Sequence, residues 1–131
     1  MLILFIKREG VVKLFVMKID YRSEIDKIRN SLKNYYNKQF KSEEEDYIEN
    51  KKNKEQIKKL IILVYNDSAL SEAERGYIIK VGLELLAKNT GSAEDGEIAE
   101  DILDSLFYDL KILSQEDIDN YYEQSSNRRW D

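Results

Sequence analysis

The sequence contains no cysteine and no histidine. Without cysteine no disulfide can form, so the fold has to be held together by packing alone. Zinc sites built from thiolate and imidazole ligands are excluded, and so are Ser-His-Asp and Cys-His nucleophile systems. Any catalysis would have to use Asp, Glu, Lys, Tyr, Arg or Ser side chains, and no cofactor is predicted.

Proline is absent as well, whereas an average usage of ~5% would give about six prolines in a chain of this length. All-β domains usually need proline in their turns, and helix interiors exclude it. Charged residues reach 36% of the 131 residues, which indicates a highly solvated surface. We therefore expect an all-α fold, a compact bundle of four to five helices forming a single domain over residues 1–124.

Long hydrophobic runs are missing too, and the apolar run at residues 2–6 has only five residues. A membrane-spanning helix needs ~20 apolar residues, and a secretory signal needs a basic start and a cleavage site of small residues. The sequence predicts neither kind of segment. The expectation is a cytoplasmic protein without membrane contact.

Two apolar runs, residues 2–6 and 11–17, flank a segment that contains Gly10. β-Branched and aromatic residues around such a turn are typical of a short N-terminal β-hairpin. An isolated hairpin is marginal in water, so it would have to dock on the helices or pair with another chain. Alternatively, residues 1–16 are dispensable or a mis-assigned start, because Met17 begins a hydrophilic stretch.

Apolar residues at three- and four-residue steps predict the helices. Ser23 is expected to cap a first helix that runs to about Lys38, and Ser42 with Glu45 has the capping-box spacing for a second. The polar first part of the second helix leaves two alternatives, a solvated half or a break near residues 50–53.

Ser71 with Glu74 predicts the start of a third helix, which carries apolar residues on most sides. Gly76 and Gly82 lie inside it, where each costs roughly 1 kcal/mol relative to alanine. Close approach of a neighbouring helix explains both glycines most simply. Gly91 is the expected C-terminal cap.

A fourth helix is expected from near Ser92 to about Ile112, and a fifth begins at Ser114 with Asp117 in the capping-box position. The tail, residues 125–131, is predicted to be flexible. The apolar stripe of the fourth helix consists of Ile98, Ile102, Leu106 and Leu110.

Residues 93–123 contain eleven carboxylates and one base, Lys111, whereas residues 1–60 carry a positive balance of five charges. Like charges three or four residues apart on a helix repel each other. A basic partner would relieve this repulsion, and the basic half of the same chain could do so too. A plain solvated face is the third interpretation. The predicted contact face consists of Glu97, Glu100, Asp101, Asp104 and Tyr108.

The charge pattern therefore predicts a small acidic non-enzymatic protein that neutralises or regulates a basic protein partner. A toxin-immunity or anti-defence inhibitor fits the size, the charge and the missing catalytic residues. Richness in lysine, asparagine, isoleucine and tyrosine fits a low-GC bacterium or its mobile elements. A structural helical module is an alternative, and formation of a homo-oligomer is left open.

A second alternative is enzymatic. Glu97 with Glu100 and Glu116 with Asp119 form two acidic pairs, and carboxylates suit magnesium. This spacing resembles the acidic pairs with which helical nucleoside-triphosphate pyrophosphohydrolases bind magnesium. Direct nucleic-acid binding is not expected, because neighbouring acids offset the lysines of residues 51–59, which are predicted to form a solvated face.

Overall fold

The computed structural model describes residues 2–8, 11–17 and 19–130, with side chains for residues 19–126. Five α-helices in these residues confirm the prediction of a helical bundle. The described elements are β1 (Leu2–Arg8), β2 (Val11–Met17), α1 (Tyr21–Tyr36), α2 (Glu43–Tyr65), α3 (Glu72–Lys88), α4 (Ala93–Asp104), a π-helical turn (Ser105–Asp109) and α5 (Gln115–Trp130).

Strands β1 and β2 pair antiparallel, with Leu2 opposite Met17 and Arg8 opposite Val11. The turn predicted around Gly10 lies outside the described residues, and so do the side chains of both strands. Docking of this hairpin on the helices therefore stays a prediction, as does the dispensability of residues 1–16.

Helix α1 begins earlier than the sequence predicted. Its N-cap is Asp20, whose carboxylate accepts a hydrogen bond of 3.1 Å from the backbone N–H of Ser23. The prediction that Ser23 caps this helix is wrong, because the aspartate three residues before it satisfies the free backbone donor first. The apolar face predicted for α1 is confirmed, with Ile25, Ile28 and Leu32 buried.

Helix α2 begins where predicted, and the hydroxyl of its N-cap Ser42 accepts from the backbone N–H of Glu45 at 3.1 Å. The helix is continuous through residues 50–53, so it does not break there. Its first half is not simply solvated either, because Asn50, Asn53 and Lys54 are buried. The polar start of α2 thus takes part in the packing of the bundle.

Helix α3 begins with the predicted capping box, in which Ser71 and Glu74 each accept from the other's backbone N–H. Gly82 has the predicted packing role, because a Cβ there would lie 3.3 Å from Cγ1 of Ile61 on α2. Gly76 does not, since a Cβ there would meet no described atom within 4 Å. The C-cap is Asn89, and the prediction of Gly91 is wrong.

Helix α4 ends well before the predicted Ile112. The chain widens into the π-helical turn, where the backbone N–H of Leu110 donates to the carbonyl of Ser105 at 2.9 Å. Lys111 then leaves the helix with a φ of 54°. The wider turn breaks the four-residue stripe, so Leu110 is exposed and Leu113 is buried instead.

Helix α5 begins with the predicted capping box, since Ser114 and Asp117 exchange hydrogen bonds of 2.8 and 3.2 Å. The helix continues to Trp130, beyond the point where a flexible tail was expected. Ser125 is buried, and its hydroxyl lies 3.1 Å from that of Thr90. The turn of α5 around Ser125 therefore packs on the bundle.

The core forms where α2 meets α3 and α4, while α1 packs on α2 and α5 on α3. Tyr21 at the start of α1 donates a buried hydrogen bond to Asp67 in the loop after α2. Among the described helices, none is both long and apolar enough to cross a membrane. The largest fully buried apolar side chains are Ile57, Ile61, Val64, Leu86, Ile102, Leu103 and Leu106.

Candidate functional site

The predicted contact residues on α4 all lie at the surface. We call Glu97, Glu100, Asp101 and Asp104 the acidic face, and all four side chains are exposed. Their three- and four-residue spacing places them on adjacent turns, where like charges repel. The helix can expose them together because its opposite side buries the apolar residues Ile98, Ala99, Ile102 and Leu103.

Basic side chains do not neutralise this face within residues 19–126. The ion pairs in that part of the chain join Lys27 to Glu24, Arg29 to Asp26 and Lys54 to Asp95. The lysines and arginines of residues 19–60 thus form no ion pair with the acidic face. The charged side chains of residues 1–18 and 127–131 lie outside the described part.

The π-helical turn presents Tyr108 beside the acidic face. Tyr108 is 67% exposed, and its ring makes an edge contact with Phe107, with centroids 4.9 Å apart. Tyr122 of α5 also lies near this face. Burial raises the pKa of its hydroxyl, and the negative charges of Glu100 and Asp104 raise it further. The structure therefore places Tyr122 near the acidic face, in addition to the predicted contact residue Tyr108.

A groove of about 360 Å³ separates α4 from α5 beside the acidic face. Glu97 and Glu100 line one side of it, and Tyr122 lines the other. Gly96 also lines the groove, and a Cβ there would meet no described atom within 4 Å. No lysine or arginine is among the described residues that line it.

The alternative magnesium site would require Glu97 and Glu100 to meet Glu116 and Asp119. Among the described residues, no three carboxylates come close enough together to hold a metal ion. Glu116 lies in the first turn of α5, where a negative charge stabilises the helix end, and Asp119 accepts a hydrogen bond of 3.0 Å from Gln115. The geometry gives this alternative no support.

Lys54 has a role that the sequence analysis missed. It was predicted to belong to a solvated lysine face, and Lys51, Lys52 and Lys59 are indeed exposed. Lys54 is 0% exposed, and its Nζ donates to Oδ1 of Asp95 at 3.0 Å and to Oδ1 of Asn50. Within residues 19–126, this ion pair joins the basic part of the chain directly to the acidic part.

Further contacts enclose the buried ion pair. Nδ2 of Asn50 donates to Oδ1 of Asp95 at 2.7 Å, and the Lys54 Nζ lies 5.8 and 5.7 Å from the ring centroids of Tyr35 and Tyr36. Burial by itself would raise the pKa of Asp95, but hydrogen bonds from Asn50 and Lys54 and the charge of Lys54 outweigh it and lower the pKa. Asp95 is therefore ionised at neutral pH.

An open cavity of about 530 Å³ borders this cluster, lined in part by Phe40, Asp46 and Glu94. Its charges are mixed, because Lys38 and the N-terminal ends of α2 and α4 offset the carboxylates. Within residues 19–126, no buried side-chain nitrogen or oxygen lacks a hydrogen-bond partner. The cluster thus acts as a structural connection between α2 and α4.

One signal in the sequence could have revealed this cluster. The buried apolar positions of α2 include Ile57, Ile61 and Val64. Continued toward the N-terminus in steps of three and four residues, the same stripe passes through Lys54 and Asn50. Asp95 stands at the N3 position of α4 and closes its capping box with Ser92, which is a second indication that it points inward.

Comparison with protein-family models, with curated proteins and with solved structures finds no match to this chain. The acidic face is therefore interpreted from its own geometry and charge.

Proposed function

We propose that this protein is a non-enzymatic binding protein whose acidic face contacts a basic protein partner. The observation that supports it is the exposure of Glu97, Glu100, Asp101 and Asp104 without an ion-pair partner among residues 19–126. Their mutual repulsion disfavours the free helix by a few tenths of a kcal/mol per pair. A positively charged surface would convert this repulsion into attraction.

The surroundings of the acidic face support a protein as the partner. Tyr108 and Tyr122 remain 67% and 49% exposed beside it. Tyrosine is enriched at protein interfaces because its ring buries apolar area while its hydroxyl keeps a polar contact. Two copies of this face would bring like charges together, so a symmetric homo-oligomer built on it is disfavoured.

Neutralisation or regulation of the partner is the biological role that we propose. A small acidic protein without histidine or cysteine chemistry can occlude the working surface of a basic toxin or defence protein. This role fits an immunity or anti-defence protein that acts in the cytoplasm and is encoded by a low-GC bacterium or by one of its mobile elements. Charge attraction would accelerate the encounter and weaken with salt.

Charge reversal on α4 tests this proposal. Asp101→Lys/Asp104→Lys should abolish capture of the partner in pull-downs from the native cell, and the unaltered protein should capture less at high salt than at low salt. The variant should unfold at a slightly higher temperature than the unaltered protein, because each new lysine stands four residues after Glu97 or Glu100.

A matched control changes the charge by the same amount on another helix. Glu43→Lys/Glu44→Lys reverses two carboxylates in the first turn of α2 and should leave capture intact. Equal capture by the α4 variant and the unaltered protein would refute the proposal. Equal loss in both double variants would show that only net charge matters, and would refute a specific acidic face as well.

A further inference from the structure

We propose that the groove between α4 and α5 receives one arginine side chain of the basic partner. The guanidinium would lie between Glu97 and Glu100, and its plane would pack against Tyr122. This inference rests on the proposed function and adds to it the chemical group that the partner has to provide.

The charge of the groove selects a cation. Glu97 and Glu100 are separated by three residues, so both carboxylates can reach one group between them. No basic side chain stands among the described residues that line the groove. The negative charges of Glu100 and Asp104 also act on the hydroxyl of Tyr122, which places them within electrostatic reach of the α5 side.

Gly96 lines the groove and adds no side chain to its wall. Glycine inside a helix weakens it, and Gly82 of α3 is explained by its contact with Ile61. Gly96 has no such contact, because a Cβ there would meet no described atom within 4 Å. The missing side chain thus leaves open space at the groove wall. The groove has a volume of about 360 Å³, which suits a single long side chain.

Arginine fits this groove better than lysine. Its guanidinium is planar, donates in a fork toward two carboxylate groups and stacks on aromatic rings. Lysine carries a compact, strongly hydrated charge that lacks this geometry. The groove offers two carboxylates that can accept hydrogen bonds from a guanidinium and a tyrosine ring on which its plane can stack.

The probe for this inference is N-acetyl-arginine amide, titrated into the ¹⁵N-labelled full chain. Amide resonances of Gly96, Glu97, Glu100 and Tyr122 should shift, with a dissociation constant on the order of 1 mM because one side chain makes few contacts. N-acetyl-citrulline amide has nearly the same shape without the charge and should cause no shift at these positions. The lysine analogue should bind more weakly than the arginine probe.

A variant that fills the groove without changing its charge separates shape from charge. Gly96→Leu should weaken binding of the probe at least about tenfold. Gly76→Leu makes the same substitution at the open glycine of α3 and should leave binding unchanged. Preserved helical circular dichroism in both variants would show that the fold is intact.

Equal shifts with the arginine and citrulline probes, shifts outside the groove, or undiminished binding of the probe by Gly96→Leu would each overturn the inference. A further outcome of this kind is binding that appears only in Arg128→Gln/Arg129→Gln, because this chain's own arginine would then be the occupant. If Gly96→Leu still captures the cellular partner while Asp101→Lys/Asp104→Lys does not, the groove inference fails and the proposed function stands.

Discussion

Lys54 carries its charge into the interior of the bundle, where Asp95 balances it at 3.0 Å. Removing a charge from water costs several kcal/mol, and a partner at hydrogen-bond distance offsets this cost only when the geometry is good. Here Asn50 accepts from Lys54 and donates to Asp95, so both charged groups keep a polar neighbour. Each charged group therefore needs the other to offset the cost of its own burial.

Lys54→Met should lower the free energy of unfolding by about 3–5 kcal/mol, because it leaves Asp95 buried without its counter-charge. The measurement is urea unfolding followed by circular dichroism. Lys51→Met is the matched control on the exposed side of the same helix, and it should change stability by no more than about 0.5 kcal/mol.

A double-mutant cycle tests whether the two charges act on each other. Lys54→Met/Asp95→Asn removes both charges and should recover part of the lost stability, with a coupling energy of about 1–3 kcal/mol. Additive losses in the two single variants would contradict a direct ion pair.

At the scale of the elements, the three glycines that lie inside helices differ in their surroundings. Gly76→Ala and Gly96→Ala should each raise the free energy of unfolding by about 0.5–1 kcal/mol, because alanine favours the helix and meets open space. Gly82→Ala should gain less or lose stability, since its Cβ would lie 3.3 Å from Ile61. Thermal unfolding of the three variants decides this, and an equal gain in all three would contradict the packing role of Gly82.

Helix starts were more predictable from the sequence than helix ends. The start of a helix depends on a serine and an acidic residue three positions apart, as at Ser71 and Ser114. Such a local motif can be recognised in the sequence. The start of α1 was missed because Asp20 competes with Ser23 for the same role. The end of α4 depends on the π-helical turn and on the burial of Leu113, which no local motif specifies.

The candidate site was predictable from the sequence where it depends on a local pattern and unpredictable where it depends on contacts between distant residues. Exposure of Glu97 and Asp101 follows from the position of the apolar stripe on α4. The groove needs α5 beside α4, and that arrangement depends on contacts such as Thr90 with Ser125 between distant parts of the chain. The buried state of Lys54 was missed because composition assigns lysine to the surface.

At the scale of the whole molecule, buried carboxylates connect elements that are distant in sequence. Asp95 ties α4 to α2, and Asp67 ties the loop after α2 to Tyr21 of α1. The pKa of Asp67 is lowered, chiefly by the hydrogen bond from Tyr21, and that of Asp95 is lowered as well. Both groups therefore stabilise the fold in their ionised form.

The lowered pKa values of Asp67 and Asp95 predict how the stability of the fold depends on pH. A carboxylate with a depressed folded-state pKa contributes stability that is fully present above its ordinary value of 3.8 and is lost as the pH falls through the folded-state pKa. The difference in unfolding free energy between the unaltered protein and Asp95→Asn should therefore be largest at neutral pH and shrink below pH 3.8. Urea unfolding from pH 7 to pH 3 measures it, and a constant difference would contradict the lowered pKa.

Asp95 also helps to fix the rotation of α4 about its own axis, together with the buried apolar stripe. Each residue of an α-helix advances by about 100° around the axis, so anchoring one residue toward the interior fixes the direction of all those that follow. Asp95 is held by Lys54 and Asn50, and this anchor turns Glu97 and Asp101 to the outside. Together with the apolar stripe, this inward carboxylate determines which way the remaining carboxylates of the helix point, and rotation of α4 would hide the acidic face.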